Sequence, residues 1–197
     1  MKTFVLASKN KHKAEEIKQI LGSNYEIKTM DEVGLGDFEV IEDGNSFEEN
    51  AAKKAVQIFE KLNMPTIADD SGLCVDYLNG DPGIFTARFA GENASDDENI
   101  DKLLSELDGV DYEQRTAKFV CVIAFVQDSV DNVKFFRGEC SGYILNERRG
   151  TSGFGYDPVF YYPEFKTTLA ELGNEKKNTI SHRYKALKKF ADSFKMS

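Results

Sequence analysis

The sequence predicts an α/β protein with a mixed sheet flanked by helices, and three features of the chain lead to this fold class. Short apolar runs at 3–7 and 66–68 fit strands that are buried on both faces. Helical stretches separate the first strands, and a βαβαβ order is typical of parallel crossover units. Two β-rich runs at 115–127 and 133–145 predict an antiparallel hairpin, which we expect to form a second lobe.

The first third of the chain gives the clearest element signals. After the strand at 3–7, apolar residues recur at helical spacing up to Gly22, and alternation at 25–30 predicts a second strand. Ser46 and Glu49 form a capping-box pattern that begins a helix, which Pro65 ends before the third strand. The inward positions of this helix are Phe47, Ala51, Ala55, Ile58, Phe59 and Leu62.

The rest of the chain alternates between loops and shorter elements. The acidic segment 69–72 predicts a turn, followed by a strand at 73–78. A second capping box, Ser95 with Glu98, begins a helix that Gly109 closes. The glycine-rich segment 148–156 predicts a loop, and Ser181 begins a last helix. Because no linker interrupts the 197 residues, we expect one domain, 1–197, with two lobes.

Composition restricts the classes of function. The net charge of −9 opposes binding to nucleic acid, a polyanion. The three cysteines lack the spacing of a disulfide framework or a zinc site, so we expect a reducing, cytoplasmic environment. The first apolar run is too short for a signal peptide, and no run is long enough to span a membrane. A small anion bound at a locally basic site remains compatible with this composition.

Asp69 and Asp70 stand side by side where the third predicted strand ends, at the edge where open α/β sheets bind ligands. Adjacent carboxylates repel each other unless a cation lies between them, so the pair predicts an Mg²⁺ site with a general base. Ser71 and Gly72 complete this segment. The alternative is a turn whose aspartates cap backbone amides.

The first strand leads into a basic segment made of Ser8, Lys9, Asn10, Lys11, His12 and Lys13. Cations at the N-terminus of a helix oppose its macrodipole. A bound phosphate would resolve this conflict, because the lysines and the free helical amides would then act together. The alternative is a solvated basic turn. The spacing of a Walker P-loop is absent from this sequence.

Three weaker patterns accompany these segments. Glu42 and Asp43 precede the helix that carries Lys54, and acids there serve either as metal ligands or as dipole partners. Glycines surround Phe154 in the segment 150–158, so its ring could stack on a ligand or fill a tight turn. The segment 176–183 carries donors suited to a phosphate, to the carbonyl oxygens of a base or to a helix cap.

Six motifs in this order resemble the inosine triphosphate pyrophosphatase family. They are Ser8-x-Asn10-x-x-Lys13, Glu42 to Lys54, Ala68 to Gly72, Pro82-Gly83, Phe154 to Pro158, and Ser181-His182-Arg183. The resemblance covers nearly the whole chain. It implies an elongated mixed sheet flanked by helices, two lobes with a central nucleotide-binding cleft, and a homodimer. It also implies Mg²⁺-dependent hydrolysis of ITP, dITP and XTP to the monophosphate and pyrophosphate.

The same resemblance implies a role for each site residue. Asp70 would bind the metal together with Glu42 and act as base toward the attacking water, and Asp69 would support it in the catalytic pair. The triphosphate would be held by Ser8, Lys9, Asn10, Lys11, His12, Lys13 and Lys54. The nucleotide would be lined by Ser71, Phe154, Gly155, Tyr156, Asp157, Lys177, His182 and Arg183, with Phe154 stacking on the purine.

Two other functions fit parts of this pattern. A Maf-type pyrophosphatase would act on pyrimidine triphosphates, and a panel of substrates separates it from a purine enzyme. A non-enzymatic purine nucleotide sensor would bind ITP without Mg²⁺-dependent release of pyrophosphate, but it leaves the paired acids unexplained.

Overall fold

The computed structural model describes residues 2–195, and within this range the chain forms seven strands and six α-helices. The strands are β1 (Lys2–Leu6), β2 (Tyr25–Thr29), β3 (Thr66–Val75), β4 (Thr116–Val126), β5 (Lys134–Ile144), β6 (Phe160–Tyr162) and β7 (Thr167–Thr168). The helices are α1 (Lys11–Leu21), α2 (Phe47–Leu62), α3 (Asp96–Glu106), α4 (Leu169–Leu172), α5 (Asn174–Lys177) and α6 (His182–Ser193). None of the helices in the described range has both the length and the apolar character needed to cross a membrane.

The strands form one sheet in the order β2-β1-β3-β4-β5-β6-β7. β1 is parallel to β2 and to β3, with Leu6 opposite Thr29 on one side and Ile67 on the other. β6 is antiparallel to β5 and to β7. The predicted mixed sheet of an α/β fold is therefore confirmed, and β4 and β5 are neighbours in it, as the predicted hairpin requires.

The chain packs into two compact units. Unit 1 comprises Met1–Asp70, Cys121–Gly138 and Arg183–Ser197, and unit 2 comprises Ser71–Val120 and Glu139–His182. The β4–β5 hairpin contributes to both units, so the expectation that the hairpin forms a second lobe is wrong. The reason lies in packing, because Cys121, Ile123 and Phe125 of β4 belong to the core of unit 1.

The core of unit 1 fixes α1 and α6 against the strands. α1 buries Ala14, Ile17 and Leu21, which lie on one face at helical spacing. Phe4 of β1 packs edge-on against Phe125 and Phe190, with ring centroids 5.5 and 5.4 Å apart. Edge-to-face pairs of this kind add to the stabilisation that burial alone gives. The N-terminal turn of α1, which carries the basic segment, is thus attached to a rigid core.

The core of unit 2 is built around α3 and the C-terminal half of β3. α3 buries Ile100 and Leu103, which belong to one apolar cluster with Leu73 of β3. The predicted capping box is confirmed, since Ser95 and Glu98 satisfy each other's backbone amides at the start of the helix. Tyr156 joins the same cluster and connects the glycine-rich loop to it.

Residues 69–72 lie inside β3, so the predicted turn is wrong. Buried carboxylates usually interrupt a strand, but here Asp69 and Asp70 each meet a cation, and the strand continues through them. The capping box predicted for α2 is only partly formed. Ser46 accepts the Glu49 N–H at 3.1 Å, whereas the Glu49 carboxylate accepts an N–H from Asn45 instead of Ser46.

Candidate active site

β3 carries the acidic pair, and consecutive residues of a strand point to opposite faces of the sheet. Asp69 is 1% exposed and Asp70 is 8% exposed. The two carboxylates are therefore neighbours in sequence but contact different side chains. This alternation allows one strand to bury two negative charges in succession, provided that each face supplies its own cation.

Asp69 accepts hydrogen bonds from two cations of unit 1. Lys13 Nζ lies 2.8 Å from Asp69 Oδ1, and Arg183 Nε lies 2.8 Å from Asp69 Oδ2. The Cys121 thiol also donates to Oδ2, at 3.1 Å. Burial alone would raise the pKa of Asp69, but the charges of Arg183 and Lys13 hold that pKa well below its usual range. Asp69 is thus ionised and engaged by partners, which suits an anchor better than a proton acceptor.

Arg183 extends this network to α1. Its guanidinium is 1% exposed and pairs with Glu16 as well as with Asp69. A buried guanidinium is tolerated because two carboxylates compensate its charge. Since Glu16 and Lys13 both belong to α1, the first turns of this helix are tied to Asp69 through one buried set of charges.

Asp70 has a different environment. Lys54 Nζ lies 2.7 Å from Asp70 Oδ1 and 2.9 Å from Glu42 Oε2. Within residues 2–195, the second oxygen of Asp70, Oδ2, is buried and meets no hydrogen-bond donor. Burial raises the pKa of Asp70, and the opposing charges of Lys54 and Lys13 do not cancel this effect. Two neighbouring acids whose pKa values are shifted in opposite directions indicate two different roles. Asp70 is the acid of this pair whose Oδ2 has lone pairs that could accept a proton.

The basic segment forms the N-terminus of α1. Asn10 is the N-cap, and its side chain accepts the Lys13 N–H at 3.0 Å. The hydroxyl of Ser8 in turn accepts the Asn10 N–H at 3.2 Å. The first turn of α1 contains no acid, so the helix dipole and the lysine charges both favour an anion here. The exposed members of the segment are Lys9, Asn10, Lys11 and His12.

The pair formed by Glu42 and Asp70 has the composition of a magnesium site. Throughout the described residues, no group of three or more Asp, Glu, His or Cys side chains is arranged to hold a metal ion. Mg²⁺, however, is commonly bound through one or two carboxylates and keeps several of its waters. Both carboxylates already converge on one cation, because Asp70 Oδ1 and Glu42 Oε2 each contact Lys54 Nζ. The residues present therefore fit Mg²⁺ bound through two carboxylates.

A second cluster lies in unit 2 around Asp157. Asp157 Oδ2 accepts the Phe154 N–H at 3.0 Å and the Lys177 ammonium at 2.6 Å. The same ammonium lies 4.7 Å from the centre of the Phe154 ring, within the range of a cation–π contact. A Cβ on Gly153, which has φ of +81°, would stand 2.1 Å from Asp157 Oδ2. Only glycine fits at position 153 while Asp157 keeps this place. Asp157 in turn holds the buried Lys177 ammonium beside the Phe154 ring.

Two neighbouring residues of the glycine-rich loop are held by polar contacts within unit 2. The Tyr156 hydroxyl donates to the backbone oxygen of Thr86 at 2.9 Å. The Gly155 N–H donates to a carboxylate oxygen of Asp96 at 2.7 Å. The two residues that follow Phe154 in the loop are therefore each held by a hydrogen bond, which restricts the backbone next to the Phe154 ring.

His182 and Ser71 are the remaining predicted residues of unit 2. His182 stacks on Phe119, with ring centroids 4.8 Å apart and an interplanar angle of 14°. Ser71 is buried inside β3. Contacts within unit 1 thus join six predicted residues, which are Lys13, Glu42, Lys54, Asp69, Asp70 and Arg183. Contacts within unit 2 join Phe154, Asp157 and Lys177.

Sequence reasoning misses two residues of the unit 1 cluster, Glu16 and Cys121. Glu16 lies beside Ile17 on the buried face of α1, and a carboxylate at a core-facing position indicates a buried cationic partner. The apolar periodicity of α1 places Glu16 on this face, so the sequence alone could have indicated its role. Cys121 gives no comparable signal, because cysteine is common in apolar strands.

Comparison with known proteins extends these observations to nearly the whole chain. The model of the Ham1 family matches residues 4–193. The dITP/XTP pyrophosphatase of Clostridium perfringens is 48% identical over 202 aligned positions, covering 99% of this chain and 98% of that protein. The dITP/XTP pyrophosphatase of Desulforamulus reducens is 50% identical over 191 positions, covering 94% of this chain and 92% of that protein.

Solved structures show the same architecture. A Ham1 protein from Coxiella burnetii matches with a TM-score of 0.90 and 39% identity over 100% of both chains. The Ham1 protein of Staphylococcus aureus matches with a TM-score of 0.88 and 43% identity over 98% of both chains. These matches confirm the predicted fold class and the resemblance carried by the six motifs. The chain belongs to the Ham1 family.

Proposed function

We propose that this protein hydrolyses non-standard purine nucleoside triphosphates such as ITP, dITP and XTP to the monophosphate and pyrophosphate, with Mg²⁺ as cofactor. The observation that carries the proposal is the carboxylate pair of Glu42 and Asp70, which shares Lys54 and leaves Asp70 Oδ2 buried without a donor. Relatives that are 48% and 50% identical are named dITP/XTP pyrophosphatases, which supports the substrate class.

Glu42 and Asp70 would hold the metal. When bound, Mg²⁺ neutralises charge on the phosphate oxygens and makes a bound water more acidic. Displacement at phosphorus by water depends mainly on positioning and on charge neutralisation, so the reaction requires no protein nucleophile. Two carboxylates and several lysines could therefore catalyse the reaction without a covalent intermediate.

Asp70 would accept the proton of the attacking water. Its Oδ2 is the carboxylate oxygen of the acidic pair with no donor in the described residues, and burial raises its pKa. Asp69 would serve the site differently, because its charge is engaged by Lys13 and Arg183. We therefore assign Asp69 to positioning within the catalytic pair and Asp70 to proton transfer.

The basic segment of α1 would bind the triphosphate. Lys9, Lys11 and Lys13 supply positive charge at a helix terminus that has no acid in its first turn. Ser8, Asn10 and His12 would contribute hydrogen bonds around the same helix terminus. Lys54 would add a further cation close to Asp70.

The unit 2 cluster would bind the purine. Phe154 would stack on the base, since its backbone is held by Asp157 and its ring already faces a cation. Lys177 and His182 would donate to the 6-oxo group, and a 6-amino group would face these donors with donors of its own. Arg183 was predicted to share this role, but its contacts with Asp69 and Glu16 support a positioning role in unit 1.

We further propose that the protein acts in the cytoplasm as a homodimer. Both parts of this proposal rest on the family resemblance, and the cysteine spacing supports a reducing compartment. Sedimentation at micromolar protein concentration tests the dimer directly. A dimeric mass supports the proposal, and a monomeric mass contradicts it.

The products of ITP hydrolysis test the proposed reaction. ITP is incubated with the protein in excess Mg²⁺ or in excess chelator, and the products are separated by anion-exchange chromatography. We expect IMP and pyrophosphate in equal amounts with Mg²⁺ and little turnover in chelator. Formation of IDP and inorganic phosphate would place the attack at the wrong phosphorus and contradict the proposal.

A further inference from the structure

Lys54 occupies the position that joins the two proposed metal ligands. Its Nζ lies 2.7 Å from Asp70 Oδ1 and 2.9 Å from Glu42 Oε2. The side chains of Lys54 and Asp70 are 7% and 11% exposed, whereas that of Glu42 is 42% exposed. The ammonium is therefore held in a largely buried position between one buried and one half-exposed carboxylate.

We infer that the Lys54 ammonium is an internal counter-cation, which occupies the carboxylate pair in the metal-free protein and must leave it when Mg²⁺ binds. Lys54 thereby sets the affinity of the free protein for the metal. This inference rests on the proposed function, because it takes Glu42 and Asp70 as the ligands of Mg²⁺. The proposed reaction does not specify that Lys54 and Mg²⁺ compete for the oxygens of Glu42 and Asp70.

Two cations cannot share the same oxygen lone pairs at hydrogen-bonding and coordination distance. A lysine ammonium is a compact charge with three donors, and here two of its donors are directed at Asp70 and Glu42. Mg²⁺ demands close, octahedral contact with its oxygens, so an ion that bridges Asp70 Oδ1 and Glu42 Oε2 must take up the space that Nζ fills. Without a bound metal, the ammonium prevents two carboxylates from facing each other uncompensated.

Competition between Lys54 and Mg²⁺ favours binding of the metal together with the triphosphate over binding of the metal alone. In the free protein, binding of Mg²⁺ must break two contacts of Lys54, so the affinity for metal alone is reduced. Once displaced, the ammonium becomes available to an anion near Asp70. A triphosphate that arrives with Mg²⁺ supplies both the metal and an anion for the displaced ammonium, and this new contact offsets the penalty.

The neighbouring residue provides a matched control. Lys53 pairs with Asp43 at 2.5 Å, and the side chains of this pair are 42% and 70% exposed. Lys53 thus lies next to Lys54 on α2, and Asp43 lies next to Glu42, but their ion pair is accessible to solvent. A substitution at Lys53 removes the same charge from the same helix without touching the carboxylate pair.

Titration of the substrate-free protein with MgCl₂ in a calorimeter tests the inference. Replacing Lys54 by Met removes the competing charge and keeps the aliphatic stem, so Lys54→Met should bind Mg²⁺ at least about tenfold more tightly than the unsubstituted protein. Lys53→Met should change the affinity less than about twofold, because exposed charges are screened. Unchanged or weaker binding by Lys54→Met would overturn the inference.

A second measurement needs no substitution at Lys54 and follows the accessibility of its amine directly. The unsubstituted protein is treated briefly with acetic anhydride, and the modification of each lysine is read by peptide mass spectrometry. Saturating Mg²⁺ should increase the modification of Lys54 severalfold and leave that of Lys53 unchanged. If Lys54 stays equally protected in Mg²⁺, the ammonium does not leave the pair, and the inference fails.

These results are independent of the proposed reaction. If the unsubstituted protein releases pyrophosphate from ITP with Mg²⁺ while Lys54→Met shows no gain in affinity, the proposed function stands and the competition is wrong. If Lys54→Met gains affinity for Mg²⁺ while the unsubstituted protein does not hydrolyse ITP, the competition stands and the proposed reaction is wrong.

Discussion

Lys13 Nζ lies 2.8 Å from Asp69 Oδ1, so the basic segment of α1 and the acidic pair of β3 are joined by an ion pair. The Lys13 side chain is 17% exposed, and that of Asp69 is completely buried. Arg183 binds the other oxygen of the same carboxylate at 2.8 Å. Asp69 therefore links a proposed phosphate-binding residue to the strand that carries the proposed base, Asp70.

Replacing Lys13 by Ala should impair both binding and stability. The helix dipole alone predicts a small gain in stability, because a cation is removed from the N-terminus of α1. The ion pair with buried Asp69 outweighs this effect, so we expect a loss of about 1–3 kcal/mol in denaturant unfolding. KM for ITP should rise as well. A variant with higher stability and unchanged KM would mean that Lys13 is only a solvated basic residue.

Asp69→Asn should destabilise the protein more than any exposed charge does. The substitution leaves the buried Arg183 with Glu16 as its remaining carboxylate in this cluster, and breaking a buried pair costs about 3–5 kcal/mol. Asp192→Asn is the control, because its partners Lys188 and Lys195 are exposed, and it should change stability by less than about 0.5 kcal/mol. Equal stabilities of the two variants in urea would contradict the proposed anchor.

Asp70→Asn should remove turnover while the fold is retained. The substitution keeps the shape of the side chain but removes the charge needed to bind metal and to accept a proton, so kcat should fall by roughly a hundredfold or more. Asp43→Asn, close to Glu42 in sequence and exposed, should keep near-normal kcat. Circular dichroism checks that both variants are folded. A normal kcat for Asp70→Asn would exclude it as the base.

Gly153→Ala should disturb the purine cluster. The added Cβ would meet Asp157 Oδ2 at 2.1 Å, and moving that carboxylate would release both Phe154 and Lys177. KM for ITP should therefore rise at least about tenfold. Gly109→Ala has a similar φ of +73° with open space around it, so it shares the backbone strain without the clash. Similar KM values for the two variants would show that strain alone explains the effect.

The larger elements were predictable from the sequence because their signals are local. The helical spacing of α1, the capping box of Ser95 and Glu98, and the apolar run of β1 each depend on residues within a few positions of one another. β6, β7, α4 and α5 were not predicted, since elements of two to four residues are too short to show a periodicity.

The course of β3 through the acidic pair could not be predicted in the same way. Asp69 is compensated by Arg183, which lies 114 positions further along the chain, and by Lys13 from α1. A local pattern of two aspartates, a serine and a glycine favours a turn, and only tertiary partners make a buried strand favourable there. The residue types of the candidate site were thus visible in the sequence, whereas the division of work between Asp69 and Asp70 depends on partners that folding supplies.

The ratio of kcat/KM for ITP to kcat/KM for ATP tests the central claim most directly. The two substrates carry the same triphosphate and differ at position 6 of the purine. There the proposed donors of unit 2 would donate to an oxo group and would face the donors of an amino group. With excess Mg²⁺ and pyrophosphate release as the readout, we expect ITP to exceed ATP by at least about a hundredfold. Similar efficiencies for ITP and ATP would contradict the account of a pyrophosphatase that selects non-standard purines.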